Sequence, residues 1–207
     1  GIEHPVDGYI VDVLRAEELV EIQTGNFSAL RAKLSDLLER HVVRVVYPVA
    51  AERWILRIDT NGTRISRRKS PKMGSVYEIF NELTSLHGAI AHANFRLEVV
   101  LVQEEQTWRD DGKGSWRRKR WSLADRRLLT VVGAVSFDRP GDFERLLPAD
   151  LPEEFTILDL RTALAPWLGR GNTHRLASRM VRALRLLGVI QQTGKRGRAY
   201  LYRRLVG

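Results

Sequence analysis

The chain of 207 residues has no cysteine, which excludes disulfides and any thiolate-ligated zinc or iron-sulfur centre and fits a reducing compartment. No apolar run approaches the roughly 18 residues of a membrane span. No signal-peptide pattern precedes the first expected strand, so the expectation is a cytoplasmic protein without membrane contact. The five histidines show no ligand spacing, glycine-rich phosphate loops are missing, and no Ser-His-Asp set can be assigned. Acid is missing from whole segments too. Nothing acidic separates Asp59 from Glu78, and Arg170 to Gly207 holds ten Lys or Arg and no Asp or Glu.

What is there is a globular composition, long enough for one large or two small domains with a real core. The net charge of +9 is unevenly spread: residues 1 to 59 carry −3, leaving +12 for the rest. The base is concentrated in three blocks. The first, RISRRKSPK, contains Arg64, Arg67, Arg68, Lys69 and Lys72. The second, RDDGKGSWRRKRW, contains Arg117, Arg118, Lys119 and Arg120 among Trp116 and Trp121. The third is the C-terminal stretch. A field this asymmetric points to a polyanion, most simply double-stranded DNA. The alternative for each block is a solvated surface.

The stretch GYIVDVLRAEELVEIQTG reads as a β-hairpin turning about Ala16 and Glu17. That register sets Leu14 opposite Leu19 and Asp12 opposite Glu21, with Asp12, Glu21 and Gln23 on one face and Val11, Val13, Val20 and Ile22 on the other. Two facing carboxylates destabilise a sheet. A hard divalent cation reverses that, as does pairing with arginine or exposure to water. A helix is expected from Asn26 to His41, capped by Asn26. VVRVVYP and RWILRID follow as two strands, then a helix at about Ser75 to His87 and a strand Phe95 to Gln103. That strand leads into a second hairpin with a basic tip and tryptophan-bearing legs, QEEQTWR and SWRRKRWS. Base stacking and cross-strand packing both suit those tryptophans.

From residue 122 the reading turns helical. Ser122 with Asp125, and Thr156 with Asp159, have capping-box spacing before LADRRLLTVV and ILDLRTALA. A proline-rich connector lies between them. A third helix spans about Thr173 to Leu187, with Leu176, Met180, Val181, Leu184 and Leu187 on one side. Arg175, Ser178, Arg179, Arg182 and Arg185 fall on the other. Two strands then flank a Gly-Lys-Arg-Gly turn. Three helices and a ribbon give the order of a winged helix over 122–207, with Arg175, Arg179 and Arg182 facing DNA and Lys195, Arg196 and Arg198 in the wing. Protein contact is the alternative use of such a domain.

Asp12, a short hairpin, Glu21-Ile22-Gln23, a helix and another strand together resemble the PD-(D/E)XK nuclease superfamily over roughly residues 6 to 60. The resemblance implies a restriction-endonuclease-like α/β (α+β) fold over 1–121: a mixed sheet with flanking helices. It also implies Mg²⁺ or Mn²⁺ held by Asp12, Glu21 and the Ile22 carbonyl, and metal-dependent phosphodiester hydrolysis with Gln23 orienting water. Glutamine stands where the motif has lysine, and Lys33 on the following helix is the candidate replacement. VDGYIVDVL, LVEIQTGNF, SRRKSPK, LPADLPEEF and GKRGRAYLY also look similar to a bacterial family of uncharacterised proteins. The layout is similar to transposon-encoded endonuclease subunits and some restriction enzymes. An inactive nuclease-like scaffold that binds DNA, or a subunit of a larger complex or homodimer, is the alternative.

Overall fold

A computed structural model describes residues 4–116, 121–168 and 173–205. The strands are β1 (His4–Val6), β2 (Tyr9–Val11), β3 (Val13–Arg15), β4 (Glu18–Ile22), β5 (Val42–Ile58), β6 (Arg64–Lys69), β7 (Phe95–Arg109), β8 (Ser122–Phe137), β9 (Glu154–Phe155), β10 (Ile190–Arg196) and β11 (Ala199–Arg204). The α-helices are α1 (Arg31–Leu38), α2 (Leu83–Ile90), α3 (Ile157–Leu168) and α4 (Thr173–Leu186). The chain is a mixed α/β protein. Its six-stranded sheet runs in the order β3-β4-β5-β7-β8, with β6 also pairing β5; β1 pairs β2. β3 and β4 are antiparallel, β4 and β5 parallel, so the sheet is mixed with α1 as the crossover.

Compactness divides the chain into two units rather than at 121/122. The first comprises residues 1–47, 77–98 and 136–207; the second, 48–76 and 99–135.

In the first unit, β5 alternates Val43, Val45 and Tyr47 inward, as β-branched and aromatic residues on a covered sheet face do. Leu34, Leu37 and Leu38 of α1 and Leu83, Leu86 and Ile90 of α2 are buried. The expected helix at Asn26–His41 begins as a 3-10 turn, Phe27–Leu30, and Asn26 is left-handed with no side-chain cap bond. The cap is supplied at long range: the Phe27 N–H donates to Glu82 Oε2 at 3.0 Å. The helix expected over Ser75–His87 is likewise split, into a 3-10 turn at Val76–Asn81 and then α2.

The same unit ends in a second layer. A 3-10 helix, Pro140–Leu146, buries Phe143 in a stack on Phe137 with centroids 4.3 Å apart, so the expected connector is part of the core. α3, α4 and the three-stranded sheet β10-β11-β9 follow, and α4 packs on α3 and α2. The Thr156–Asp159 box forms as expected: the Thr156 N–H donates to Asp159 Oδ2 at 2.8 Å and the Asp159 N–H to Thr156 Oγ1 at 3.2 Å. Thr156→Ala should therefore cost about 1 kcal/mol in urea denaturation. A loss below a few tenths would mean the box does not support α3.

In the second unit the expected helix at Ser122 is a strand. Ser122 donates to Asp111 at 2.8 Å and Asp125 accepts the Arg126 N–H at 2.8 Å, so the box is not made. Thr130, Val131, Val132, Gly133 and Val135 disfavour a helix, and pairing along β7 prevails. β8 rather than SWRRKRWS is therefore the strand that follows the turn; Trp116 lies in the connection. The two strands expected on either side of Pro48 are one. The Val46 carbonyl accepts the Gln23 N–H at 2.9 Å, so Pro48, two residues on, would aim its N–H where β4 has already ended, and the missing donor costs nothing.

Candidate functional site

The hairpin register is as expected: Val13 pairs Val20, Leu14 pairs Leu19 and Arg15 pairs Glu18. One more step would oppose Asp12 to Glu21, but pairing stops at Val13. Asp12 sits in the bend between β2 and β3, and its Oδ2 accepts the Ile22 N–H at 2.7 Å. Along β4 the face bearing Leu19 and Glu21 is covered and the face bearing Ile22 is 49% exposed. Glu21 is 6% exposed, a costly place for a carboxylate without a partner.

The partner is Lys33. Projecting from the first turn of α1, its ammonium forms an ion pair with Glu21 Oε1 and donates to the Ile10 carbonyl. Apart from this ion pair, Glu21 Oε1 has no hydrogen-bond partner among the described residues. Burial pushes the Glu21 pKa above its ordinary 4.5; Lys33 and the Asp12 main-chain amide oppose that shift, and the Asp12 charge adds to it. Tyr9 donates to Asp36, also on α1. Two contacts from one helix thus tether the segment that carries Asp12. The hydrophobic pattern of the helix does not announce either of them.

Gln23 stands one residue beyond β4 and its side-chain amide donates to the Gly25 carbonyl. That bond ties it to the loop leading to Phe27. Ile22 is better placed. Its N–H points to Asp12, away from β5, and a strand residue's C=O points to the same side as its N–H. Asp12, Glu21 and the Ile22 carbonyl are therefore neighbours. Among the described residues no group of three or more His, Asp or Glu side chains is arranged to hold a metal ion. A hard cation here would take two carboxylates, one carbonyl and water, a donor set that suits Mg²⁺ or Mn²⁺.

Among the described residues the basic side chains separate into engaged and unengaged. On β6, Arg67 pairs with Glu105 at 2.5 Å and lies over Trp54 at 4.2 Å, and Lys69 pairs with Glu52 at 2.8 Å. Arg64, Arg68 and Lys72 are exposed. Arg117, Arg118, Lys119 and Arg120 lie outside the described residues. On α4, Arg175, Arg179, Arg182 and Arg185 are exposed opposite buried Ala177, Met180, Val181 and Leu184; Arg179 donates to Asn81. In the β10–β11 ribbon Lys195 lies over Tyr200 at 5.0 Å, Arg196 pairs with Asp159, and Arg198 is exposed. Among the described residues, four of the named cations are thus held by acids or an amide of the protein itself. Among the described residues no helix is long and apolar enough to cross a membrane.

Fold and site together define a mixed α/β protein with a buried carboxylate–ammonium pair at a parallel βαβ crossover, followed by a basic helical segment. The chain belongs to a family described as a domain of unknown function, DUF8091, whose model matches residues 1–138, ending one residue after β8. An uncharacterised protein of Treponema pallidum (strain Nichols) is 37% identical over 198 residues, covering 95% of this chain and 76% of the relative. No solved structure matches.

Proposed function

We propose that the protein is a DNA-binding, metal-dependent phosphodiester hydrolase whose catalytic core is the β3–β4–α1–β5 unit, of PD-(D/E)XK type. The observation that carries the reading is Lys33. The motif position after Glu21 is glutamine, which has no charge, and an ammonium from α1 reaches Glu21 instead. The order of the unit supports it: an acid ahead of a hairpin, a second acid on the returning strand, a crossover helix and a strand parallel to the one before it. The last part of the chain is read as a winged helix. A 3-10 helix, a short strand, two helices and a ribbon occur in that order, and the short strand β9 pairs with β11.

In this reading Asp12, Glu21 and the Ile22 carbonyl hold Mg²⁺ or Mn²⁺. When bound, such an ion lowers the pKa of a coordinated water and offsets charge on the phosphate. Lys33 offsets part of the effect of burial on the Glu21 carboxyl and presents a proton donor beside the reacting phosphate. Asp12 ties the Ile22 main chain to the same point. The unengaged arginines of α4 attract the duplex by counterion release. A second reading has its own support: the Glu21–Lys33 pair already neutralises the buried carboxylate and no third acid joins it among the described residues, as in a nuclease-like scaffold that binds DNA without cutting.

Supercoiled plasmid, linear duplex and single-stranded DNA, each with Mn²⁺, Mg²⁺ or EDTA, decide between the two. Cleavage that needs the metal and falls by about a hundredfold or more in Glu21→Ala is expected. If wild type and variant shift DNA equally and neither cuts, hydrolysis is wrong for this chain and the scaffold reading stands.

A further inference from the structure

In the second unit, β8 lies at one end of the strand order β3-β4-β5-β7-β8 and, among the described residues, is hydrogen-bonded to a neighbour strand on one side. Ten residues in succession, Leu123 to Val132, are exposed. Leu123, Leu128, Leu129, Val131 and Val132 are between 37% and 60% exposed. Proteins ordinarily blunt such an edge with lysine, proline, bulges or brevity. β6, on β5, is blunted in this way by Arg64, Arg67, Arg68 and Lys69 within six residues. β8 runs for 16 residues without proline, and its three charges, Asp125, Arg126 and Arg127, stand together, leaving Leu128 to Val135 with none.

We propose that β8 pairs antiparallel with β8 of a second copy of this chain, closing a two-fold dimer. The choice of a second copy rests on charge. Directly opposed positions in an antiparallel pair turn their main-chain groups the same way, so in two identical strands the axis must pass through a residue. An axis at Arg126 sets Asp125 against Arg127 of the second copy twice and Leu123 against Leu129 of the second copy twice. All four pairs lie on one face of the joined sheet. The other face opposes Ala124 to Leu128, and Arg126 meets its own copy at the axis, where two long side chains reach solvent. Opposite charges and apolar pairs across strands each stabilise a sheet. In the single chain Asp125 instead turns to its neighbour, accepting the Arg126 N–H. With the axis at Arg126 the pairing covers Ser122 to Thr130 of β8, and because isologous pairing closes on itself, that part of the edge is satisfied in a dimer rather than extended into a fibre.

The inference is independent of any nuclease activity, and sedimentation velocity tests it. Wild-type protein between about 1 and 100 µM is expected to sediment as a concentration-dependent dimer. Asp125→Arg should weaken the dimer about tenfold or more, and the exchange Asp125→Arg with Arg127→Asp should restore it. Because the chain has no cysteine, Leu123→Cys with Leu129→Cys should form an intermolecular disulfide under oxidation. A wild type that is monomeric throughout overturns the proposal. So does a dimer indifferent to both Asp125→Arg and Leu128→Lys, or an exchange variant as weak as Asp125→Arg alone. Recovery in the exchange variant distinguishes lost pairing from lost folding.

Discussion

Replacing Lys33 with methionine should lower stability by about 3 kcal/mol, the low end for breaking a buried ion pair, because Glu21 is then left charged and covered. The lower end applies since the Lys33 side chain keeps 16% of its exposure and the Glu21 side chain 7%. Glu21→Gln should cost less, since Lys33 retains the Ile10 carbonyl. The double variant should recover most of the loss, so that a double-mutant cycle in urea shows strong coupling. Additive losses would mean that Lys33 matters through its methylenes and not its charge.

The pH dependence gives a second readout. Burial raises the Glu21 pKa above 4.5 in the folded state, so the folded protein holds this proton more tightly than the unfolded chain. The contribution of Glu21 to stability is then most favourable below pH 4.5 and falls as pH rises from there through the folded-state value. Lys33 opposes the shift, and without it the folded pKa moves further up and the window widens. The Lys33→Met deficit should accordingly be small near pH 4 and full near pH 8. A deficit equal at both pH values removes Glu21 ionisation from the account. Cleavage by Lys33→Met, measured beside Glu21→Ala, should fall with it if Lys33 stands in for the motif lysine.

What the sequence made legible here was local. The hairpin register follows from a two-residue turn at Ala16-Glu17 and strict alternation on each side, so Leu14 opposite Leu19 could be read directly. The Thr156–Asp159 box could be read too, because the residues after it are good helix formers. The same spacing at Ser122 and Asp125 misled, since Thr130 to Val135 carry strand preference and a partner strand, β7, was available. Capping residues mark a helix start only when the following turns agree. Lys33 was nameable as a lysine on the flank of α1, yet its contact with Glu21 is fixed by how α1 crosses from β4 to β5. Glu82 as the cap of Phe27 was illegible for the same reason: 55 residues separate the partners. Charge blocks showed where base was dense but not which cations were already engaged by Glu52, Glu105 and Asp159.

That sorting leads to the last expectation, the largest in binding. Arg175, Arg182 and Arg185 to alanine together should weaken duplex binding by roughly a hundredfold at low salt. The slope of log affinity against log salt should fall in magnitude by about 3, one for each phosphate left without its arginine. Arg179→Ala should do less, because its guanidinium already serves Asn81, and Arg196→Ala should act mainly on the start of α3 through Asp159. The substituted residues are exposed while the opposite face of α4 holds the core, so circular dichroism should be unchanged. Fluorescence anisotropy from about 50 to 300 mM salt measures the slope. A slope that does not move would take α4 out of the interface and leave Arg64, Arg68 and Lys72 to account for binding. A slope that falls equally for Arg179→Ala and Arg182→Ala would mean that the Asn81 contact gives way to phosphate, and that the cations held by the protein's own groups count with the rest.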